Sequence, residues 1–136
     1  LGYRLASYVS PRATIFRGFT HGDNAFILED NTIQPFAAVG DNVTLWSGNH
    51  IGHHSRIEDD CFVASHVVVS GNVRIGAGSF VGVNVTIRDG IQIGRRCVLG
   101  AGSSLAQYPS GPSHLTRSSH HTAAAGPDRP VRRSRF

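Results

Sequence analysis

The sequence predicts an all-β protein, namely a left-handed parallel β-helix of hexapeptide repeats with about five coils and a disordered C-terminal tail. From Val9 to Leu105, sixteen of the seventeen residues at six-residue intervals are aliphatic, His21 is the exception, and the frame never shifts. The fifth position of each hexad is mostly small, and Gly often follows the aliphatic residue. A period of six fits neither an α-helix nor simple strand alternation, but it fits short strands and turns that coil into a solenoid.

The chain divides into three parts. Residues 1–8 precede the repeat and are interpreted as the remnant of an interdomain junction. Residues 9–105 form the β-helix, with the aliphatic residue of each hexad pointing inward and the small one filling a corner. Residues 106–136 are rich in Arg, Pro and Ser and have no apolar period, which predicts disorder.

The net charge of +4 comes from the tail. Residues 1–105 carry eight Arg against eight acidic residues, and residues 106–136 carry five Arg against Asp128. The β-helix therefore lacks a basic stripe, which argues against a nucleic-acid partner. No run of about eighteen apolar residues exists, so no membrane span is expected.

The two cysteines, Cys61 and Cys97, both occupy small inward positions and lie two coils apart in an eighteen-residue coil. Strands stack about 4.8 Å apart, so their Cα atoms should be roughly 9.6 Å apart, which exceeds the disulfide reach of about 7 Å. We expect two buried thiols in a reducing compartment, consistent with a cytoplasmic protein.

Half of the eight histidines lie in the stretch GNHIGHHSRIEDDCFVASH, residues 48–66. They are His50, His53, His54 and His66. Because the inward positions are taken by other residues, all four should lie outside the core. Asn84 follows His66 by one coil, so the two residues should stack on one side of the β-helix.

An outward position recurs with largely apolar residues every eighteen residues. It holds Phe26, Thr44, Phe62, Phe80 and Val98. An exposed ridge with three Phe side chains indicates an interface. Packing under the C-terminal segment would also cover the ridge, but we favour contact between subunits.

The stretch NHIGHHSRIEDDCFVASHVVVSGNVRIGAGSFVGVNVTIRDGIQIGRRCVLGAGS resembles the left-handed β-helix domain of sugar acyltransferases of the sialic-acid O-acetyltransferase and bacillosamine N-acetyltransferase group. The similarity extends over roughly residues 8–105. It implies a homotrimer that transfers an acetyl group from acetyl-CoA directly to a sugar or nucleotide sugar. We expect this chain to lack the N-terminal domain that is usual in the group.

The resemblance also implies roles for individual residues. The family's general base corresponds to His53, and its acetyl-CoA contacts correspond to Phe62, Val83 and Ala101. Small residues at Gly82 and Ala101 would let a backbone N–H reach the thioester oxygen.

Two further implications concern the histidines beside these positions. His66 and Asn84 would shape the acetyl-CoA groove. His54 replaces the acidic residue that often follows the family's base, so His53 could be oriented by Asn49, by His54 or by a neighbouring chain.

Two other interpretations stay open. The γ-class carbonic anhydrases share the fold and an IGH element, but their three zinc ligands would correspond to His53, Glu58 and Arg17. Two of these are not histidine, and Arg repels a cation, so no metal is expected. A non-catalytic β-helix scaffold is the other alternative. The sequence alone does not distinguish O- from N-acylation, nor does it identify the acyl group or the acceptor sugar.

Overall fold

A computed structural model describes residues 2–3 and 5–106, and in this part of the chain every regular element is a two-residue strand. In chain order the strands are β1 (Tyr8–Val9), β2 (Thr14–Ile15), β3 (Thr20–His21), β4 (Phe26–Ile27), β5 (Thr32–Ile33), β6 (Ala38–Val39), β7 (Thr44–Leu45), β8 (His50–Ile51), β9 (Arg56–Ile57), β10 (Phe62–Val63), β11 (Val68–Val69), β12 (Arg74–Ile75), β13 (Phe80–Val81), β14 (Thr86–Ile87), β15 (Gln92–Ile93), β16 (Val98–Leu99) and β17 (Ser104–Leu105). Each strand holds the sixth residue of one hexad and the first of the next.

The strands form three parallel sheets, which are the faces of a three-sided prism. Face 1 contains β1, β4, β7, β10, β13 and β16; face 2 contains β2, β5, β8, β11, β14 and β17; face 3 contains β3, β6, β9, β12 and β15. Every strand pairs in parallel with the strand eighteen residues away, as Phe62 does with Phe80. The predicted parallel β-helix of about five coils is therefore confirmed.

The segments that join the faces stack into three edges. The first edge joins face 1 to face 2 and consists of residues 10–13, 28–31, 46–49, 64–67, 82–85 and 100–103. The second edge joins face 2 to face 3 and consists of residues 16–19, 34–37, 52–55, 70–73 and 88–91. The third edge joins face 3 to face 1 and consists of residues 22–25, 40–43, 58–61, 76–79 and 94–97.

The inward row of aliphatic residues forms the core. Ile27, Ile51 and Ile87 are fully buried, because coils lie above and below each of them. Ile15 occupies the same position in the first coil but is 39% exposed, since no described coil covers it. Burying such a side chain contributes about 1.5–3 kcal/mol, so the stacking of coils supplies most of the stabilisation.

The fourth residue of the hexad adopts a left-handed backbone conformation, which reverses the chain at each corner. Positive φ angles occur at Gly18, Asn24, Asp30, Phe36, Asn42, Gly48, His54, Asp60, His66, Asn72, Gly78, Asn84, Gly90, Arg96 and Gly102. Gly and Asn are the residues that accept this conformation at least cost. Most of these positions follow that preference, and Phe36 departs from it furthest.

Cys61 and Cys97 are buried, and neither is part of a disulfide. Burial raises the pKa of both thiols, which keeps them in the unreactive neutral form near neutral pH. Both cysteines therefore lie at the inward positions that the repeat predicted.

The predicted tail lies outside the described residues except for Ala106, and the interpretation of residues 1–8 as a junction stays a prediction. Within residues 2–3 and 5–106 there is no helix with the length and apolarity needed to cross a membrane.

An ion pair on the third edge makes stability depend on pH. Arg74 Nε donates to Glu58 Oε1 at 2.7 Å, and the Ala77 N–H donates to Glu58 Oε2 at 3.0 Å. The hydrogen bond from Arg74 is the main reason that the pKa of Glu58 is lowered. Because the folded pKa lies below the unfolded one, the pair stabilises the fold above the ordinary Glu range and loses its effect as pH falls.

We therefore expect Glu58→Gln to lower the free energy of unfolding by about 0.5 kcal/mol near neutral pH, a size typical of an exposed pair. The difference from the parent should shrink as pH falls below about 4, because the unfolded chain takes up a proton there first and the folded carboxylate follows at lower pH. Thermal melts of the parent and the variant, near neutral pH and below about pH 4, measure this difference. Gln92→Ala, an uncharged change on the same face, should show no such trend. A difference in the free energy of unfolding that is equal at the two pH values would contradict the role of the Glu58–Arg74 pair.

Candidate functional site

Two histidines stand side by side on the second edge. His53 and His54 lie between β8 and β9, and both are exposed. Their Nδ1 atoms are 3.2 Å apart, and their rings meet edge to face with centroids at 5.4 Å. Such a contact is a hydrogen bond only when one Nδ1 carries the proton and the other offers its lone pair. Within residues 2–3 and 5–106, nothing hydrogen-bonds His53 Nε2.

The His53 ring lies over the backbone of the next coil. A Cβ placed on Gly71 would come within 2.6 Å of His53 Cε1 and Nε2, so only Gly leaves room for the ring. The His53 N–H donates to Gln34 Oε1 at 3.1 Å, which anchors the backbone from the coil on the other side. The Gly71 N–H donates to Asp89 Oδ1 at 2.6 Å, which places a carboxylate in the same column of the edge.

The His54 ring is supported by a residue that the sequence argument missed. Phe36, one coil away, has its ring centroid 5.1 Å from that of His54. The signal was present in the sequence, because a bulky aromatic residue stands at a turn position where Gly or Asn is usual.

Asn49 does not contact His53 in this structure, so its predicted orienting role is not supported. Its side chain is 1% exposed and points into the β-helix. Asn49 Nδ2 donates to the Trp46 carbonyl at 2.8 Å, and the Val67 N–H donates to Asn49 Oδ1 at 2.8 Å. Asn49 sits at the fifth, inward position of its hexad, and it satisfies backbone groups that the turn leaves buried.

The residues predicted to contact acetyl-CoA lie together along the first edge and the adjoining face. His66, Gly82, Val83, Asn84 and Ala101 are on the first edge, and Phe62 is on β10 of face 1. His66 and Asn84 stack one coil apart with φ angles of 57° each, as the eighteen-residue spacing predicted.

This edge offers backbone donors. The N–H groups of Val83 and Ala101 make no hydrogen bond to any residue in the described ranges. A Cβ on Gly82 would lie 2.8 Å from the Ala101 nitrogen, so Gly82 keeps the two coils close. The Val83 side chain is 44% exposed, which adds an apolar surface beside the donors. This combination suits an acyl-CoA thioester and the aliphatic parts of its pantetheine arm.

The His66 ring folds back over the coil before it. A Cβ on Gly48 would be 2.8 Å from His66 Cε1 and Nδ1, so the glycine makes room for the imidazole. The predicted apolar ridge continues from there onto face 1. Phe62 stacks on Phe80 with centroids 5.6 Å apart and ring planes at 9°, and Trp46 lies 6.0 Å from Phe62.

The two groups of candidate residues occupy different edges of the prism. The histidine pair is on the second edge, and the residues predicted to bind acetyl-CoA are on the first edge and face 1. The strands of face 2, including β8 with the half-buried His50, lie between the two edges. Within one chain the general-base candidate and the donor-site candidates therefore do not form a single pocket.

The residues that would correspond to a carbonic-anhydrase zinc site do not converge. Glu58 is on the third edge and is engaged by Arg74, whereas His53 and Arg17 are on the second edge. In the part of the chain that the structure describes, no cluster of three or more His, Cys, Asp or Glu residues could hold a metal ion.

Two repeat families match consecutive parts of the chain. Residues 37–71 match the bacterial transferase hexapeptide (six repeats), and residues 72–107 match the hexapeptide repeat of succinyl-transferase. Together the matches span residues 37–107, slightly more than half of the 136 residues. No curated protein sequence matches the chain.

Several solved structures share the fold. A variant of perosamine N-acetyltransferase from Caulobacter crescentus, in complex with CoA and GDP-perosamine, has a TM-score of 0.76 at 22% identity, and the alignment covers 77% of this chain and 50% of that one. The acetyltransferase domain of PglB from Neisseria gonorrhoeae has a TM-score of 0.74 at 22% identity, with coverages of 77% and 51%. The chain thus spans about half the length of these structures, and at such identities the likeness establishes the fold.

Proposed function

Because the chain belongs to the hexapeptide-repeat transferases, we propose that it is an acyl-CoA-dependent acyltransferase. The donor is acetyl-CoA, and the acceptor is a hydroxyl or amine of a sugar or nucleotide sugar. The acetyl group passes directly from the thioester to the acceptor, with His53 as general base.

The observation that carries this proposal is the arrangement of the two histidines. His53 Nδ1 is engaged by His54 Nδ1 at 3.2 Å, while His53 Nε2 has no partner among the described residues and the side chain is exposed. An imidazole with one nitrogen held and the other free is the usual form of a general base. His54 holds the proton on His53 Nδ1, which leaves the lone pair on Nε2.

The reaction then proceeds in two steps. His53 Nε2 removes the proton from the acceptor O–H or N–H as the oxygen or nitrogen attacks the thioester carbonyl, and a tetrahedral intermediate forms. The C–S bond breaks as the intermediate collapses, and the CoA sulfur takes the proton from His53. No bond forms between the acetyl group and the protein.

The first edge supplies the donor site. The negative charge that develops on the thioester oxygen needs preorganised donors in the transition state. The N–H groups of Val83 and Ala101, which have no partner among the described residues, fit this role, and Val83 and Phe62 provide apolar contacts for the pantetheine arm. His66 and Asn84 lie on the same edge.

A complete site requires a second copy of the chain. His53 and the Val83–Ala101 donors lie on different edges, so the second edge of one protomer must face the first edge of its neighbour. In a homotrimer with the exposed ridge of face 1 near its interfaces, each of the three interfaces would form one such site. Phe80 is 44% exposed and Val98 is 48% exposed in the single chain, which leaves apolar surface for such contacts.

The fold relatives suggest which acceptors to test. One of them was solved with CoA and GDP-perosamine, a nucleotide sugar that carries an amine. We propose an acceptor of the same class for this chain. The choice between amine and hydroxyl is tested by GDP-perosamine against GDP-mannose, which offers hydroxyl groups only.

The first experiment combines binding, assembly and turnover on the full chain. Calorimetry with acetyl-CoA should show saturable binding, a sizing column should show a trimer, and thiol release in the presence of GDP-perosamine or GDP-mannose should exceed release without acceptor. A well-folded protein that does not bind acetyl-CoA at about millimolar concentration, which means a binding free energy weaker than about −4 kcal/mol, would overturn the proposal. That result would favour a non-catalytic scaffold.

A further inference from the structure

Phe36 occupies a backbone conformation that suits its side chain poorly. Its φ angle is +61°, in the left-handed region that bulky residues rarely enter. The equivalent positions of the neighbouring coils on the second edge hold Gly18, His54, Asn72 and Gly90. Nothing in the turn itself requires an aromatic residue, so a benefit elsewhere must offset the conformational cost.

The ring of Phe36 lies between two coils of the second edge. On one side, a Cβ on Gly18 would be 2.5 Å from Phe36 Cδ1, so the ring rests on a bare glycine. The His54 imidazole packs against the Phe36 ring, with centroids 5.1 Å apart and planes at 34°. Arg17 Cζ lies 5.8 Å from the ring centroid, within cation–π range.

Core packing does not account for the ring. Phe36 is 49% exposed, whereas the adjacent Ala37 is fully buried and belongs to the core. The Phe36 ring instead contacts His54, and His54 contacts the proposed base, His53.

We propose that Phe36 is a positioning residue that holds the His54 ring, and that His54 in turn fixes the tautomer of His53. Gly18 leaves space for the Phe36 ring, and this ring packs against His54. His54 in turn contacts His53 through the two Nδ1 atoms. Without the ring of Phe36, His54 is free to rotate at its exposed turn, and the Nδ1–Nδ1 hydrogen bond is no longer maintained. The inference rests on the proposed function, because it concerns how the general base is prepared.

Three variants of the full chain test this. Phe36→Asn removes the ring and places at the turn a residue that accepts the left-handed conformation. Phe36→Tyr keeps the aromatic ring, and it also keeps a bulky residue in the unfavourable left-handed backbone conformation. Gly90→Asn is the matched control, because it introduces Asn at the same turn position of the same edge, with open space around its Cβ.

The first two readouts are the melting temperature and steady-state kinetics with acetyl-CoA and GDP-perosamine or GDP-mannose. The third is a two-bond ¹H–¹⁵N correlation spectrum of protein labelled with ¹⁵N-histidine, which reports the tautomer of each imidazole. The His53 signals are identified by their loss in His53→Asn. For Phe36→Asn we expect an unchanged or higher melting temperature and an unchanged KM for acetyl-CoA. We expect a fall of at least about tenfold in kcat, as small misplacements of catalytic groups produce. His53 should change from the Nδ1–H tautomer to a mixture of tautomers.

Phe36→Tyr and Gly90→Asn should resemble the parent in the spectra and in kcat. The proposal is overturned if Phe36→Asn leaves the His53 tautomer unchanged, or if it lowers the melting temperature markedly, since the ring would then serve the stability of the coil. The spectra need no acceptor. If the parent transfers no acetyl group to either nucleotide sugar, the proposed function fails, and the tautomer comparison still decides the role of Phe36.

Discussion

Replacing His53 by Ala or Asn lowers kcat by about 10²–10⁴-fold, the range that a general base supplies. His53→Asn can still donate towards His54, but it has no basic nitrogen in place of Nε2. Because His53 acts on the acceptor proton and the first-edge residues hold acetyl-CoA in the proposed site, KM and the calorimetric affinity for acetyl-CoA should stay within about twofold. The measurement is the initial rate of thiol release with the acceptor that the parent uses.

His21→Ala is the matched control for this change. His21 is exposed in the first coil, where its Nδ1 contacts the Gly22 carbonyl at 2.8 Å, and it has no part in the proposed site. It should keep the parent kcat. A His53→Asn protein with parent kcat would exclude His53 as the base.

Replacing Asn49 by Ala lowers the free energy of unfolding by about 2 kcal/mol, which corresponds to a drop in melting temperature of roughly 10 °C for a domain of this size. The loss arises because the buried Val67 N–H no longer has the Asn49 Oδ1 acceptor at 2.8 Å. The Trp46 carbonyl keeps a donor from Asn31 Nδ2 at 2.7 Å, which limits the cost. Denaturant unfolding and thermal melts measure the change.

The same variant separates a structural role from a catalytic one. Below its melting temperature, Asn49→Ala should keep a kcat within about threefold of the parent, because Asn49 does not touch His53. Gln92→Ala, an exposed change on face 3, should leave stability within about 0.5 kcal/mol. A stable Asn49→Ala protein with strongly reduced kcat would instead support the original prediction that Asn49 orients the base.

The six-residue period was enough to predict the architecture. It placed Ile51, Ile57 and Val63 in the core, and each is fully buried. The eighteen-residue coil also predicted that His66 would stack with Asn84 and Phe62 with Phe80. These predictions succeeded because in a β-solenoid the lateral neighbour of every residue is set by its sequence spacing alone.

The contacts around His53 could not be read in the same way. The period assigns a residue to an edge, but it does not say whether a side chain leans towards the coil before it or the coil after it. His53 leans over Gly71, while Phe36 leans over Gly18. The direction depends on rotamers and on where a glycine leaves space.

By itself, the sequence determined the fold, the inward row and the edge on which each candidate residue stands, because all of these follow from one repeated spacing. The tertiary structure decided that Asn49 hydrogen-bonds the backbone of the first edge, that the Nδ1 atoms of His53 and His54 come within 3.2 Å, and that the Phe36 ring packs against His54. Those contacts depend on side-chain direction and hydrogen bonding between coils, and local spacing carries no information about either.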